Sequence, residues 1–480
     1  MTVSIQPEEV LAAAPPVRHE PGARDRIRAA HAAVGRRIAV LDDDPTGSQT
    51  VHDVSVVTVF EADEYAAGLA APGSTCFILT NTRSLPEDTA VEMNTGISAS
   101  LFALGQSLGG PMEVVSRSDS TLRGHVVAEI AAIDTARRRV TGAGFDAVLL
   151  IPCFFEAGRF TAGDIHWANV SGRPVPAGDT EFAQDSTFGF TSSNLRDFIA
   201  EKSGGTITRD EVHGISLDDI RLGGPTRVAE ILDGVTGGAF IVVNATDYAD
   251  LEIVVLGLLE VQKRGKSFGY RCGPSFPRAL AGLEPQGPLT AAQIWPTGRP
   301  GGHGLVVVGS HVGLTSRQVA KAQDRGGLAE TELHVPTLLD PDRRDDHVAA
   351  IGRQVAEALA TSDVMLFTSR TLMRGGDADD SLAISRTVST AVIEVVRTAL
   401  AAQPAWVVAK GGITSHDVAV RGLGIRRAEV IGQLFPGMVS VFRPIEAAPE
   451  AVGTPYVVFA GNVGDDETLA DVVDLFAGRR

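Results

Sequence analysis

The chain predicts an α/β protein of two domains, each a mainly parallel sheet flanked by helices. Three observations carry this. Near-continuous apolar runs recur along the sequence, as in Ile38–Leu41 and Ala147–Ile151, and such runs suit strands buried on both faces. Segments with helical spacing separate them, giving a repeated β–α alternation. The length of 480 residues exceeds what one hydrophobic core supports, and the Pro- and Gly-rich stretch 284–304 offers a boundary.

Taken in order, residues 1–34 read as an N-terminal arm with a short helix at Arg24–Val34, and 35–285 as a first domain. Its strands fall at Ile38–Leu41, Val54–Val59, Thr75–Thr80, Val114–Val115, Ala147–Ile151, Ala239–Asn244 and Phe268–Arg271. Its helices fall at Glu87–Leu104, Arg123–Arg138, Leu195–Glu201 and Tyr248–Arg264. Between Phe154 and Phe190 the periodicity fades into Gly, Pro, Thr and aromatic residues, which reads as one long irregular segment. Residues 286–304 read as a linker and 305–480 as a second domain. Its strands are Leu305–Val308, Leu333–Val335, Val364–Thr368, Trp406–Ala409 and Tyr456–Phe459. Its helices are Ser316–Ala322, His347–Leu359, Leu382–Ala401, Asp417–Arg421 and Glu467–Phe476.

Composition narrows the function classes. A net charge of −17 argues against a nucleic-acid surface. Cys76, Cys153 and Cys272 are scattered without metal-type spacing, which fits a reducing cytoplasm. The first 35 residues lack the apolar region of a secretion signal, and no apolar run is long enough to span a bilayer.

Polar clusters stand where the predicted strands end, which is where parallel α/β sheets gather their chemistry. The first strand runs into Asp42, Asp43 and Asp44 and is stopped by Pro45, Thr46 and Gly47. Three adjacent carboxylates repel one another unless a cation or an arginine offsets them. The other clusters are Asn81–Ser84, Arg117–Gly124 and Gly158–Asp164. Together they contribute Arg83, Arg117, Arg123 and Arg159, whose guanidinium forks suit carboxylates and phosphates. With Ser120 and Thr121 available for hydroxyls, the pocket reads as one for a small anionic, hydroxylated molecule. In the second domain, three glycine-containing turns follow strands: Gly309-Ser310-His311, Gly411-Gly412-Ile413-Thr414 and Gly461-Asn462-Val463-Gly464. Glycine lets backbone approach a phosphate closely, and a helix N-terminus after Thr414 would add free N–H groups, so these turns predict a nucleotide site. His52, His125, His166 and His311 lie near the clusters as substrate contacts or structural groups.

Two apparent motifs fail on context. Gly142-Ala143-Gly144-Phe145-Asp146-Ala147 fits a dinucleotide fingerprint but precedes a strand instead of following one, which disfavours a dehydrogenase. Gly265-Lys266-Ser267 echoes a P-loop ending, yet Glu260 occupies the place of its first glycine.

Taken together, these segments resemble the four-carbon acid sugar kinase family over nearly the whole chain after residue 36. The family's Asp-Asp-x-Thr-Gly falls on Asp43, Asp44, Thr46 and Gly47, its Asn-Thr turn on Asn81–Ser84, and its Asp-Ser-Thr-Leu-Arg-Gly on Asp119–Gly124. Pro152–Arg159 with Thr161 and Gly163, then Thr180–Ala183 and Asp185, is similar to the stretch that follows. The Gly-Ser turn, the Gly-Gly-x-Thr loop and the Gly-Asn-x-Gly turn fall on Gly309-Ser310, on Gly411, Gly412 and Thr414, and on Gly461, Asn462 and Gly464. Three departures stand out: Ser116 and Arg117 where members commonly carry lysine, His125 where Asn is frequent, and Val312 in place of a second serine.

The resemblance implies phosphoryl transfer from ATP, with Mg²⁺, to a hydroxyl of a small sugar acid such as threonate, erythronate or 3-oxo-tetronate. The site would lie in the cleft between the domains, and their closure would align donor and acceptor. Asp43 or Asp44 would act as general base or help hold Mg²⁺. Arg83 and Arg117 would bind the substrate carboxylate, and Asp119, Ser120 and Arg123 would position hydroxyls or the transferred group. The glycine turns would hold ATP. Arg117 and His125 are the expected discriminators of the acid. A branched acid such as 3-oxo-isoapionate, or a non-catalytic sensor of sugar acid and nucleotide, are the alternatives; a homo-oligomer is compatible with all of them.

Overall fold

The computed structural model describes residues 7–44, 46–370 and 378–479, so Pro45 and the first six residues of the arm lie outside the described residues. The chain divides into two compact units, Met1–Pro285 and Gln286–Arg480.

The first unit is built on strands β1 (Arg37–Asp42), β2 (Val54–Val57), β3 (Thr75–Leu79), β4 (Met112–Arg117) and β5 (Ala147–Ile151). A small group follows, β6 (Phe160–Ala162), β7 (Ile165–Val170) and β8 (Arg173–Pro176), and then β9 (His213–Ile215), β10 (Ala239–Val243) and β11 (Phe268–Cys272). The main sheet runs in the order β2-β3-β1-β4-β11-β5-β10-β9, with every pairing parallel. β1, β3 and β5 are buried along their whole length, which is why they read as unbroken apolar runs. Leu101 and Phe102 of helix Glu87–Ser107 and Ile133 of helix Val126–Thr141 pack on Ala39, Leu41 and Ile78. Helix Tyr248–Gln262 is buried on nearly all sides and is started by Asp247, whose side chain accepts from the Ala249 N–H at 2.8 Å.

Register fixes the chemistry at one edge. Asp42 stands opposite both Leu79 and Arg117, and Arg117 opposite Cys272, so the carboxyl ends of β1, β3, β4 and β11 are level.

Several elements differ from the sequence reading. The segment 154–190 is not wholly irregular: β6, β7 and β8 form an antiparallel sheet around buried Trp167. These strands are short, and left-handed residues at their turns (Asp164, and Ser171 with Gly172) interrupt any alternation. The helix expected from Arg123 starts at Val126, because Leu122 and Gly124 take positive φ (71° and 116°) that a helix cannot include. Gly142 is the left-handed C-cap of that helix, which accounts for the apparent fingerprint there. β9 and the helices Leu217–Arg221 and Gly224–Gly234 occupy a region where no element was expected.

The second unit contains β12 (Leu305–Val308), β13 (Leu328–Leu333), β14 (Asp363–Thr368), β15 (Val407–Lys410), β16 (Arg427–Phe435), β17 (Met438–Glu446) and β18 (Tyr456–Phe459). Their order is β13-β14-β12-β15-β18-β17-β16. The first five run parallel, and β17 and β16 are antiparallel additions. Leu333 ends β13 instead of starting a strand, and Val335 opens a short helix with Pro336 in its first turn. The expected helix Asp417–Arg421 is a helix over Gly412–Asp417 followed by a π-turn over Val418–Gly422. Within 286–304, Leu289, Ile294 and Trp295 pack into the core of this unit, with the Trp295 and Phe476 rings 5.2 Å apart. Among the described residues, no helix is long and apolar enough to cross a membrane.

Candidate active site

In the first unit, β1 delivers its carboxylates onto the level edge. The Asp42 carbonyl accepts from Thr80 N–H (2.9 Å), Asn81 N–H (3.2 Å) and Thr80 Oγ1 (2.9 Å), which ties β1 to the end of β3. Beyond it Asp44 Oδ1 accepts from Thr46 N–H at 2.8 Å and Thr46 Oγ1 at 2.6 Å. Gly47 then passes so close that a Cβ would overlap the Asp42 carboxylate and Arg117 Nη1.

The structure brings Asp43, Asp44, Arg83, Asp119 and Arg123 into one cluster. Arg83 contacts Asp44 and lies 3.5 Å from Asp119 and 3.9 Å from Asp43. Asp119 accepts from Arg123 Nε at 2.6 Å, from the Thr121 N–H at 3.2 Å and from the Thr121 hydroxyl. Arg159 Nη1 donates to Ser120 Oγ at 2.8 Å, and both Arg159 and Arg123 lie over the Phe182 ring. Asn81 adopts the left-handed conformation at this edge and bonds through its backbone to Asp42 and Ser84.

Arg117 is placed differently from the expectation. It donates to Asp42 Oδ1 at 2.7 Å, is only 5% exposed and lies beneath Gly47, so its charge already faces a carboxylate of the fold. His52, His125 and His166 likewise have partners within the fold. His166 bonds the Ser120 carbonyl at 2.7 Å, and burial pushes its imidazole down to about 4, so it holds the serine loop as a neutral ring.

The acids of the cluster differ in environment. Asp43 is 2% exposed, and among the described residues neither of its oxygens has a hydrogen-bond partner. Burial pushes its carboxyl up to about 7, against the opposing pull of Arg83 and Arg271. Burial also acts on Asp44, but Arg83, Arg117 and the Thr46 bonds outweigh it and hold that carboxyl below its ordinary value. Asp119 is held low in the same way by Arg83 and Arg123, against its burial. One carboxylate is thus poised to exchange a proton near neutrality while two are held ionised.

Beneath the cluster lies a supporting layer that no motif in the sequence marks. Arg271, at the end of β11, donates to Ser116 Oγ at 2.8 Å and contacts Glu129, which accepts from Thr82 Oγ1 at 2.6 Å. Gly124 marks where this layer meets the acids: a Cβ there would lie 2.7 Å from Arg271 Nη2 and 3.1 Å from Asp43 Oδ2. The available signal was an arginine inside the apolar run Phe268–Cys272. Among the described residues, no group of three or more His, Cys, Asp or Glu is arranged to hold a metal ion.

In the second unit the three glycine turns interlock at the carboxyl ends of β12, β15 and β18. Thr315 Oγ1 bonds Ser310 Oγ at 3.1 Å and the Gly461 carbonyl at 2.8 Å. Gln318 Nε2 donates to the Val463 and Asp465 carbonyls, fixing the Gly461–Gly464 turn, in which Asn462 is exposed. Gly411 has φ +126°, and a Cβ there would meet Thr414 Oγ1 at 3.0 Å and Ser310 Cβ at 3.1 Å. Among the described residues nothing lies within 4 Å of where a Cβ at Gly412 would stand. A cavity beside the turns is lined by Gly309, His311 and Thr414 together with Val388, Val392 and Ile413, a mixture suited to a base and its sugar. Lys410 lies beneath the turns with Nζ bonded to the Ala460 carbonyl at 2.7 Å and 3.6 Å above the Phe459 ring; burial brings its ammonium down to about 7.

Comparison with known proteins agrees with this division. Residues 38–280 match a sugar-binding N-terminal domain and residues 305–469 a nucleotide-binding C-terminal domain. The chain belongs to the four-carbon acid sugar kinase family. A D-threonate kinase of Bordetella bronchiseptica is 27% identical over 469 residues, covering 93% of this chain and 99% of the relative. A D-erythronate kinase of Heliobacterium modesticaldum is 26% identical over 276 residues, covering 56% of this chain and 55% of the relative. Solved structures from Salmonella typhimurium (TM-score 0.67, 16% identity, 91% of this chain and 98% of the other) and Haemophilus influenzae (TM-score 0.63, 16% identity, 92% and 99%) share the fold of this family member.

Proposed function

We propose that this family member transfers the γ-phosphoryl group of ATP to a hydroxyl of a small sugar acid, a four-carbon acid such as threonate, erythronate or 3-oxo-tetronate. The observation that carries the reading is Asp43: a buried carboxylate with both oxygens unbonded among the described residues, beside Arg83, at the carboxyl edge of the sheet. Such a group takes a proton from an acceptor hydroxyl near neutral pH. Arg83, Arg123 and Arg159 would receive the acid's carboxylate or the phosphoryl group in transit, Arg117 would hold Asp42 and the Gly47 turn in place, and Ser120 and Thr121 would orient hydroxyls.

The donor set suits Mg²⁺, which binds through one or two carboxylates together with substrate phosphates. Asp44, part-exposed and held ionised, would be its ligand, and the ion would neutralise charge on the transferred group. In the second unit, Ser310, Gly411, Gly412, Thr414, Gly461, Asn462 and Gly464 would hold ATP, and transfer requires the ligands of the two units to meet in line. The test is ADP release from MgATP with four- and five-carbon sugar acids, including a branched 3-oxo acid. Turnover with one acid is expected; ATP binding without turnover on any acid would favour a sensor.

A further inference from the structure

The second unit carries a cation that neither the glycine turns nor the packing account for. Arg370 follows β14 at the same edge as the turns. Val308 of β12 stands opposite Phe367 of β14, so Ser369 and Arg370 leave the sheet beside Ser310 and His311. Ser369 fixes the backbone there. Its carbonyl bonds His311 Nε2 at 3.0 Å, its N–H donates to the Leu333 carbonyl at 3.2 Å, and its hydroxyl accepts from the Val335 N–H at 3.0 Å. The Arg370 side chain lies over the start of helix Gly313–Arg325, where Nη2 donates to Ser316 Oγ at 2.7 Å.

Among the described residues that hydroxyl is its one hydrogen-bond partner. Nε and Nη1 are sheltered from solvent and unbonded, and among the described residues no carboxylate pairs with the guanidinium. Arg325, on the same helix, pairs with Glu467, Asp471 and Asp474. A part-buried guanidinium without a counter-ion forfeits hydration with nothing in return, so its position calls for an anion supplied from outside. Lys410 does not fill this role, since it is fully buried and already bonded to Ala460.

We infer that Arg370 is a phosphate-binding residue of the nucleotide site, held by Ser316 to receive phosphate oxygens of a nucleotide lying across Ser310 and the Gly411–Thr414 turn. The inference rests on the nucleotide reading proposed above and adds a residue to it. A guanidinium presents two N–H groups to one phosphate, which lysine cannot reproduce.

The test is calorimetric titration of ADP and of adenosine into the full chain and its R370Q and R370K variants. The expected result is a roughly 10- to 100-fold loss of ADP affinity in R370Q, a smaller loss in R370K, and adenosine affinity within about twofold of the unaltered chain in both. Should R370Q fail to fold, R370K, which keeps the charge, carries the comparison alone. Unchanged ADP affinity in the variants, or equal loss for ADP and adenosine, would overturn the inference while leaving the nucleotide reading intact. Absence of ADP binding by the unaltered chain would overturn the nucleotide reading itself, and the inference with it.

Discussion

Replacing Asp43 with Asn separates a catalytic carboxylate from a structural one, because the two roles predict opposite changes in stability. The native fold raises this carboxyl from its ordinary 3.8 to about 7, so it holds a proton more tightly than the unfolded chain does. About three pH units at roughly 1.4 kcal/mol each set an upper figure on the order of 4 kcal/mol for the cost of keeping it ionised. The sign follows from linkage. Below about pH 4 the group is protonated in both states and contributes no pH dependence. As pH rises from there through 7, the native state is progressively penalised, and above 7 the penalty is complete.

Asp43→Asn removes that titration. Arg83 keeps Asp44 and Asp119, and Arg271 keeps Glu129, so neither arginine is orphaned. The variant is therefore expected to melt several degrees above the unaltered protein at pH 8, with the difference shrinking towards pH 5. Its turnover should fall by about 10² to 10⁴. In the unaltered enzyme, turnover should decline as pH drops below about 7, where Asp43 becomes protonated. Thermal melts at pH 5 and 8, with steady-state rates over the same range, check all three. A variant destabilised equally at both pH values, or one retaining turnover, would refute the assignment of Asp43 as base.

Other substitutions probe the surrounding parts. Asp44→Asn should cut turnover by orders of magnitude and raise the Mg²⁺ concentration giving half-maximal rate, with little loss of fold; a magnesium titration of the rate checks this, and near-normal turnover would remove Asp44 from the mechanism. Gly412→Asp, at a position where no described residue would meet a Cβ within 4 Å, should abolish ADP binding by charge while sugar-acid binding survives, as calorimetry would show. Gly47→Ala forces a methyl into the Asp42–Arg117 pair and should cost about 3–5 kcal/mol in a denaturant melt together with most of the activity.

The sequence conveyed the parallel strands well, because burial on both faces leaves them apolar throughout, as in β1 and β3. It conveyed the antiparallel additions poorly. β16 and β17 are joined by a Pro436-Gly437 turn, but register shifts between Arg427 and Ala428 and between Val430 and Gly432 break the alternation that would mark them. β13, at the edge, alternates in burial and so lacks a continuous run. The surface of the acid–arginine cluster was legible because each part stands at a strand end. Its supporting layer was not, since Arg271 and Glu129 are 142 residues apart and meet only through the order of the sheet. Arg117 shows the same limit: residue type and position suggested a substrate contact, whereas register placed it opposite Asp42.

The most direct test of the account is phosphorus NMR of a reaction containing the full chain, MgATP and the sugar acid that best promotes ADP release. A new phosphomonoester signal growing in equal amount with ADP is expected. Inorganic phosphate in its place, or ATP left unconsumed with every acid, would contradict it.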